Sequence, residues 1–358
     1  MTSPVTSSVS SSVGGPVSSP VTGRRIAIAI AALALFAVPF AITEVYYVNI
    51  ASQILLYAIF ALGLNVLVGY AGLVSLGHAG LFGVAAYVLA YLLAAGHGHA
   101  FAVLAALAAG LFATAGFAAL ALRATGISFI MITLALGEII WGLAYRWISL
   151  TNGDNGISVA TRPEPFGVPL NSARGFYDAT LVVFLVAVAA SAIFVRSPFG
   201  AALCGTRDQP RRMNALGYHV WMIRFWAFMF SGLLTSIAGI LFVYYTEFIS
   251  PQALALTASA EGLLMVISGG AGTLLGPVVG AALVVIVKNV VSAYVERWNF
   301  MLGAIFVAIV VFMPEGLVPG AVRLSRSAWR AASRRKTAAK TAVKTAVKTA
   351  AKIARPQP

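Results

Sequence analysis

Charge is what this sequence has least of. Asp, Glu, Lys and Arg together make up 9% of its 358 residues, against roughly 25% in a soluble domain, and that scarcity excludes a large solvated domain. Cysteine occurs once, at Cys204, so neither an intrachain disulfide nor a cysteine cluster for metal or redox work can form. Catalytic signatures are missing as well. There is no G-x-x-x-x-G-K-S/T phosphate loop, and "GGAGTLLGP" fails the dinucleotide spacing because Leu275 stands where the third glycine belongs. Neither H-E-x-x-H nor G-x-S-x-G occurs. The chain therefore reads as a non-enzyme with no cofactor and no metal of its own. Its four histidines are scattered, and only His97 and His99, flanking a loop glycine, approach the spacing of a ligand pair.

What the sequence has is apolar length. Hydrophobic residues make up 60% of it, and a spanning helix needs about 20 mainly apolar residues. Ten such segments can be marked out, at 26–42, 50–68, 73–95, 101–122, 127–148, 179–195, 221–245, a short one at 258–268, 276–293 and 300–313. The fold class that follows is an all-α polytopic membrane protein with about ten transmembrane helices.

Three regions separate by composition. Residues 1–23 are Ser, Thr, Pro, Val and Gly, a mixture unable to bury a core and expected to be disordered. Residues 24–319 form the transmembrane domain. Arg24 and Arg25 before the first apolar run resemble a signal peptide, but the length of that run and the spans after it favour an uncleaved first helix. Residues 320–358 form a basic tail. Eleven Lys and Arg follow Glu315 with no acid among them, so only +3 of the net +14 belongs to the rest. The tail spaces Lys336, Lys340, Lys344, Lys348 and Lys352 four apart, a pattern for an anionic lipid surface or for a solvated flexible segment. It lacks the aromatics of a nucleic-acid binder. Positive residues cluster at Arg24, Arg123, Arg196 to Arg212 and the tail, which places these segments and both termini in the cytoplasm. The nearly neutral loop at 149–178 falls outside.

Two places break the apolar pattern at membrane depth. "LNVLVGYAGLVSLG" lies over "LMVISGGAGTLLG" with Gly69, Ala71 and Gly72 on Gly269, Ala271 and Gly272, and Gly77 on Gly276. The two copies run the same way across the membrane, which implies two parallel, pseudo-repeated halves with interrupted or re-entrant segments. Irregular backbone at that depth survives where protein or a water-filled cavity surrounds it, so both breaks point to a transport pathway. Its candidate residues are Asn65, Gly72, Ser75, Gly77 and His78 in the first copy and Gly269, Gly270 and Gly272 in the second. The segment 258–268 spans only about half the hydrocarbon thickness. Ala71, Ser75, Ala79 and Gly83, four apart, have the spacing of a close helix contact. Glu138 and Glu261 are acids within or at the edge of apolar spans, functional candidates by position. His78 reads as gate, ligand or interhelical hydrogen bond.

Between two inner spans, at about 196–220, lies a polar loop whose centre reads as a short helix with Asp208 as N-cap, Pro210 in the first turn and Gly217 as terminator. Such a helix makes a docking surface.

These pieces together carry a family resemblance. "LGLNVLVGYAGLVSLGHAGLFGVAAY", "GISFIMITLALGEII", "SLTNGDNGIS", "SPFGAAL", "ALGY" and "EGLLMVISGGAGTLLGPVVGAAL" resemble the integral-membrane permeases of ABC importers for branched-chain amino acids, of the LivM type, from about residue 50 to 319. The resemblance implies an inner-membrane subunit moving branched-chain or related small amino acids and amides by alternating access. Its implied partners are a second related permease, two cytosolic subunits that bind and hydrolyse ATP, and an extracytoplasmic binding protein. It also implies that Arg207, Asp208, Arg211, Arg212, Ala215, Leu216 and Gly217 form the loop that couples to the ATPases. "QPRRMN" departs from the acidic and alanine residues usual there, and the "KTA" tail is an addition. The competing reading is an ion-coupled secondary transporter in which Glu138 and Glu261 carry protons.

Overall fold

A computed structural model describes residues 44–159 and 172–294 and a few positions between 300 and 323. The N-terminal region, the apolar segment 26–42, residues 160–171, most of 300–313 and the basic tail lie outside the described residues.

The first helix among the described residues, α1 (Val45–Asn65), is mainly apolar, with Asn49, Ser52 and Gln53 in its first half and Asn65 at its end, and continues into a wider π-helical turn, Val66–Ala71. Gly72, at φ 69°, ends it in the left-handed region that a side chain would resist. An irregular stretch follows up to Gly77, and α2 (His78–Ala94) starts there. The apolar run expected as one span at 73–95 is thus broken chain for its first five residues. Ala71, Ser75, Ala79 and Gly83 consequently share no helix face.

Three helices with lipid-grade exteriors come next: α3 (His99–Ala121), α4 (Ile127–Arg146) and, after the short α5 (Ile148–Thr151), α6 (Ala173–Arg196). Helix α6 begins six residues before the apolar run expected at 179. The small-residue stripe expected at 71–83 is found instead in α3. There Ala102, Ala106, Gly110 and Thr114 are buried at intervals of four, with Gly110 against Ala85 and Ser236 and Thr114 against Gly232. Small side chains let these backbones approach, which is how helices associate where lipid removes the hydrophobic drive. The opposite faces carry Phe112, Ile139, Val186 and Ile193, all exposed.

Ser197 caps α7 (Pro198–Asp208) by accepting from Gly200 N at 3.2 Å. Helix α8 (Pro210–Ala215) follows after Gln209, which occupies the N-cap position without a side-chain bond. The expected cap, Asp208, is the last residue of α7 and pairs with Arg207 at 2.9 Å. Pro210 starts α8 as expected. Gly217, at φ 88°, closes it: Gly217 N donates to Asn214 O and Tyr218 N to Met213 O, the paired bonds of a Schellman end.

Helix α9 (Val220–Thr246) returns through the centre of the bundle, packed on α1, α2 and α3. The two-residue strands β1 (Ile157–Ser158) and β2 (Phe248–Ile249) pair antiparallel and tie the loop after α5 to the end of α9. The chain closes with a tight hairpin, α10 (Leu256–Gly269) and α11 (Gly276–Tyr294), laid on α1. With 14 residues α10 is about 21 Å long, longer than the half-span expected at 258–268 but still short of the roughly 30 Å hydrocarbon thickness. Among the described residues five helices are long and apolar enough to cross a membrane, and α2, α10 and α11 are shorter apolar helices. The window of α1 is 83% buried and that of α9 61%, while α3, α4 and α6 stay below one third. Helices α1 and α9 therefore form the interior.

Candidate functional site

The two glycine breaks that align in sequence touch each other. A Cβ on Gly69 would run into the backbone nitrogen of Gly272. Asn65, one residue before the π turn, bridges them: its Oδ1 accepts from Gly272 N at 2.9 Å and its Nδ2 donates to Thr273 O at 3.0 Å. A buried amide with donor and acceptor both satisfied is stable in an apolar interior, whereas losing either partner would cost about 1–3 kcal/mol per stranded group.

Each break is also held separately. In the first, Ser75, His78 and Ser231 form a chain of hydrogen bonds. Ser231 Oγ donates its one proton to Gly63 O at 2.6 Å, so at the 2.9 Å contact His78 Nε2 must be the donor to Ser231 Oγ. The neutral ring's Nδ1 then accepts from Ser75 Oγ, also at 2.9 Å. Every polar atom in the chain is used. His78 is fully buried and ties α2 to α9. Thr133 of α4 accepts from Leu76 N at 3.3 Å, and Ser259 of α10 accepts from Ala79 N at 3.0 Å. In the second break Thr273 folds back on its own segment. It donates to Gly270 O at 2.9 Å and accepts from Gly276 N at 3.0 Å. Gly270 and Gly272 take φ of 112° and 79°. Gly269 lies against the carbonyl of Gly276, where no side chain would fit.

The polar loop reaches the first break directly. Arg207 Nη1 donates to Gly69 O at 2.7 Å, and the Arg207 stem packs on Gly72. Arg224 of α9 secures the same loop by donating to Thr206 O at 2.7 Å. Beyond it α8 is exposed. Arg211, Arg212 and Ala215 face outward, and Leu216, Tyr218, Trp221 and Met222 add an exposed apolar patch beside the two arginines.

Toward the other end of α9, about 33 Å from Arg224 at 1.5 Å per residue, a cavity of about 290 Å³ lies among α1, α2, α9, α10, α11 and the segment after β2. Tyr57, Phe60, Phe82 and Phe242 line it. So do Glu261 and Lys288, whose Nζ donates to both carboxylate oxygens at 3.2 Å. Glu261 is thus a salt-bridged acid at a cavity wall. Glu138 is elsewhere. It is partly buried on α4, and no side-chain bond or ion pair joins it among the described residues.

The sequence-predicted residues Asn65, Gly72, Gly269, Gly270 and Gly272 are therefore brought together. Ser75, Gly77 and His78 lie in the layer beside them, Glu261 lies at the cavity, and Glu138 stays apart. Lys288 was missed, although a single Lys inside an apolar run was a visible signal. Thr273, Ser231 and Ser259 were missed too, and a lone hydroxyl in a Gly/Ala-rich helix carries none. Among the described residues no His, Cys, Asp and Glu cluster could hold a metal.

Apolar faces turned outward, with polar groups gathered inward at two touching breaks, define a multi-pass membrane permease. The family model described as "Branched-chain amino acid transport system / permease component" matches residues 46–310. The chain is 32% identical over 297 residues to the high-affinity branched-chain amino acid transport system permease protein LivM of Salmonella typhimurium, which covers 76% of this chain and 70% of that protein. Identity to LivM of Escherichia coli is 31% with the same coverage. A more distant relative is the autoinducer 2 import system permease protein LsrC of Yersinia enterocolitica, 30% identical over 139 residues, 37% of this chain and 39% of that one. No solved structure matches. The chain belongs to the branched-chain amino acid transport permease family.

Proposed function

We propose that the chain is one transmembrane subunit of an ABC importer in the inner membrane that moves branched-chain or related small amino acids inward. The observation that carries the reading is the line of contact from Arg207 through Gly69 and Asn65 to Gly272 and Thr273. It links the exposed α7–α8 loop, at 196–220, to both breaks. In this reading α8, with Arg211, Arg212 and the Leu216–Gly217 end, seats in a groove of one of two ATPases. Closure of the ATPases pushes the loop, and the breaks shift to open the path alternately to each side. A second related permease completes the path, and a binding protein delivers substrate to the cavity end. The transmembrane domain is 24–319, both termini are cytoplasmic and the cavity faces outward. ATP is bound by the partners.

The Glu261–Lys288 pair weighs against proton coupling through Glu261, because Lys288 Nζ engages both of its carboxylate oxygens at 3.2 Å. Reconstitution decides. The chain is assembled in proteoliposomes with its permease partner, ATPases and binding protein, and radiolabelled L-leucine uptake is followed. Uptake that requires both ATP and binding protein is expected. Uptake by this chain alone, driven by a pH gradient and indifferent to ATP, would overturn the proposal.

A further inference from the structure

We infer that the cavity bearing Glu261 and Lys288 is a receiving site for a zwitterionic α-amino acid with an apolar side chain. The inference rests on the importer reading and adds to it where the substrate first sits and what holds it.

The cavity offers one charge of each sign. Glu261 and Lys288 are the two ionised groups in its wall, and their side chains are only 19% and 34% exposed. A simple anion in this space would lie against Glu261 and a simple cation against Lys288. A zwitterion alone satisfies both, its carboxylate on the Lys288 ammonium and its ammonium on the Glu261 carboxylate, with no net charge carried into a low-dielectric site. The existing pair leaves room for that exchange. Both Nζ–O distances are 3.2 Å, longer than the about 2.7–2.9 Å of a tight charge-assisted bond.

The same lining has an aromatic part, among Thr246, Ser250, Gln252 and Thr257, built from contacts that fix its shape. Phe82 meets Phe60 edge-on at 5.5 Å and Phe242 at 5.3 Å. Gly262, one residue after Glu261, lies so close under the Phe60 ring that any side chain there would displace it. The charged wall is equally fixed, since Asn289, next to Lys288, donates to Gln53 Oε1 and Val285 O, both at 2.9 Å. Three phenyl rings and an ion pair thus line one cavity, which offers apolar and charged surface to the same ligand. Its volume of about 290 Å³ is at the lower limit for small-molecule pockets, about 300 Å³, which suits an amino acid rather than a peptide or a disaccharide.

The slot also adjoins the layer around the first break. Ala79 lines it, next to His78 of the buried hydrogen-bond chain, and its own amide is held by Ser259 of α10. An occupied slot therefore presses on the layer that the first break is built from.

The test uses the full chain in lipid nanodiscs and saturation-transfer NMR, which detects weak ligands. L-Leucine should show transfer to its methyl protons. Its methyl ester, which lacks the carboxylate, and 4-methylpentanoate, which lacks the ammonium, should each bind at least tenfold more weakly. Glu261→Gln and Lys288→Met should abolish the leucine signal. The charge swap, Glu261→Lys together with Lys288→Glu, keeps an ion pair and hence the wild-type melting temperature. It should still lose leucine, because the ligand's two charged ends would have to exchange places while the phenyl rings stay where they are. No leucine signal in the wild type, equal signals from all three ligands, or a swap that binds like the wild type would each overturn the inference. ATP-dependent uptake by the assembled complex is unaffected by those outcomes and judges the importer reading by itself.

Discussion

The two glycine breaks look like copies in sequence but are held in different ways. The first, from Gly69 to Gly77, is wired outward: Ser231 of α9 through His78, Thr133 of α4, Ser259 of α10 and Arg207 of α7 all bind its atoms or its immediate neighbours. The second, from Gly269 to Gly276, is held mostly by Thr273 and by backbone packing within its own hairpin, with Gly316 laid against Gly270 from outside it. Among the described residues, Asn65 and the Gly69–Gly272 contact join it to the first. Similar sequence thus supports two roles, a junction where several helices meet and a compact element that leans on it.

The strongest way to break this comparison is to separate the backbones. Gly69→Val places a branched side chain against the Gly272 backbone, and Gly269→Val does so against Gly276. Both should destabilise by about 1–3 kcal/mol or more and abolish uptake, read as a lower melting temperature and a transport assay. Equal damage from the two would show that the contact between breaks matters as much as either break alone.

Next comes the outward wiring. Ser231→Ala leaves His78 Nε2–H without a partner in an apolar interior, while Gly63 O keeps its bond from Val66 N, at a cost of about 1–3 kcal/mol, seen as a fall in melting temperature. Thr273→Val, which touches only the second break, should cost about 1 kcal/mol. A larger loss from Thr273→Val than from Ser231→Ala would reverse the assignment of junction and dependent element.

Asn65→Leu tests the link itself. Interhelical hydrogen bonds in membranes average about 0.6 kcal/mol, so losing two should cost about 1 kcal/mol, while transport should fall at least tenfold because the breaks no longer move together. The smallest effect on stability is expected at Arg207. Arg207→Lys keeps the charge on a half-exposed side chain but cannot span both Gly69 O and Asp208 with one planar group. Stability should change by no more than about 0.5 kcal/mol, yet uptake should drop relative to ATP hydrolysis, a ratio measured on the assembled complex.

Much of the helix frame was legible because long apolar runs leave few alternatives. The run at 101–122 is α3 (His99–Ala121), and that at 221–245 is α9 (Val220–Thr246). A shortened helix before Gly269 and the glycine end at Gly217 were readable from length and from the left-handed conformation that glycine permits, although the helix runs three residues longer than the apolar segment marked out at 258–268. The contacts were not. Asn65 and Thr273 are 208 residues apart, and nothing local in either marks the other. The cap expected at Asp208 failed because Arg207 beside it offers a closer, charged partner. The stripe at 71–83 failed because four-residue spacing is meaningful only where the helix is continuous, and Gly72 ends it.

The Gly69–Gly272 contact has a mechanical consequence. Where helices meet through side chains, a change of rotamer can absorb a small shift, but several contacts in this bundle are backbone on backbone, Gly77 on Thr133 and Gly239 on Phe82 among them. Here two main chains bear on each other with nothing between them. A displacement arriving through Arg207 would meet no soft layer at this point, and the two breaks would shift as one stiff joint.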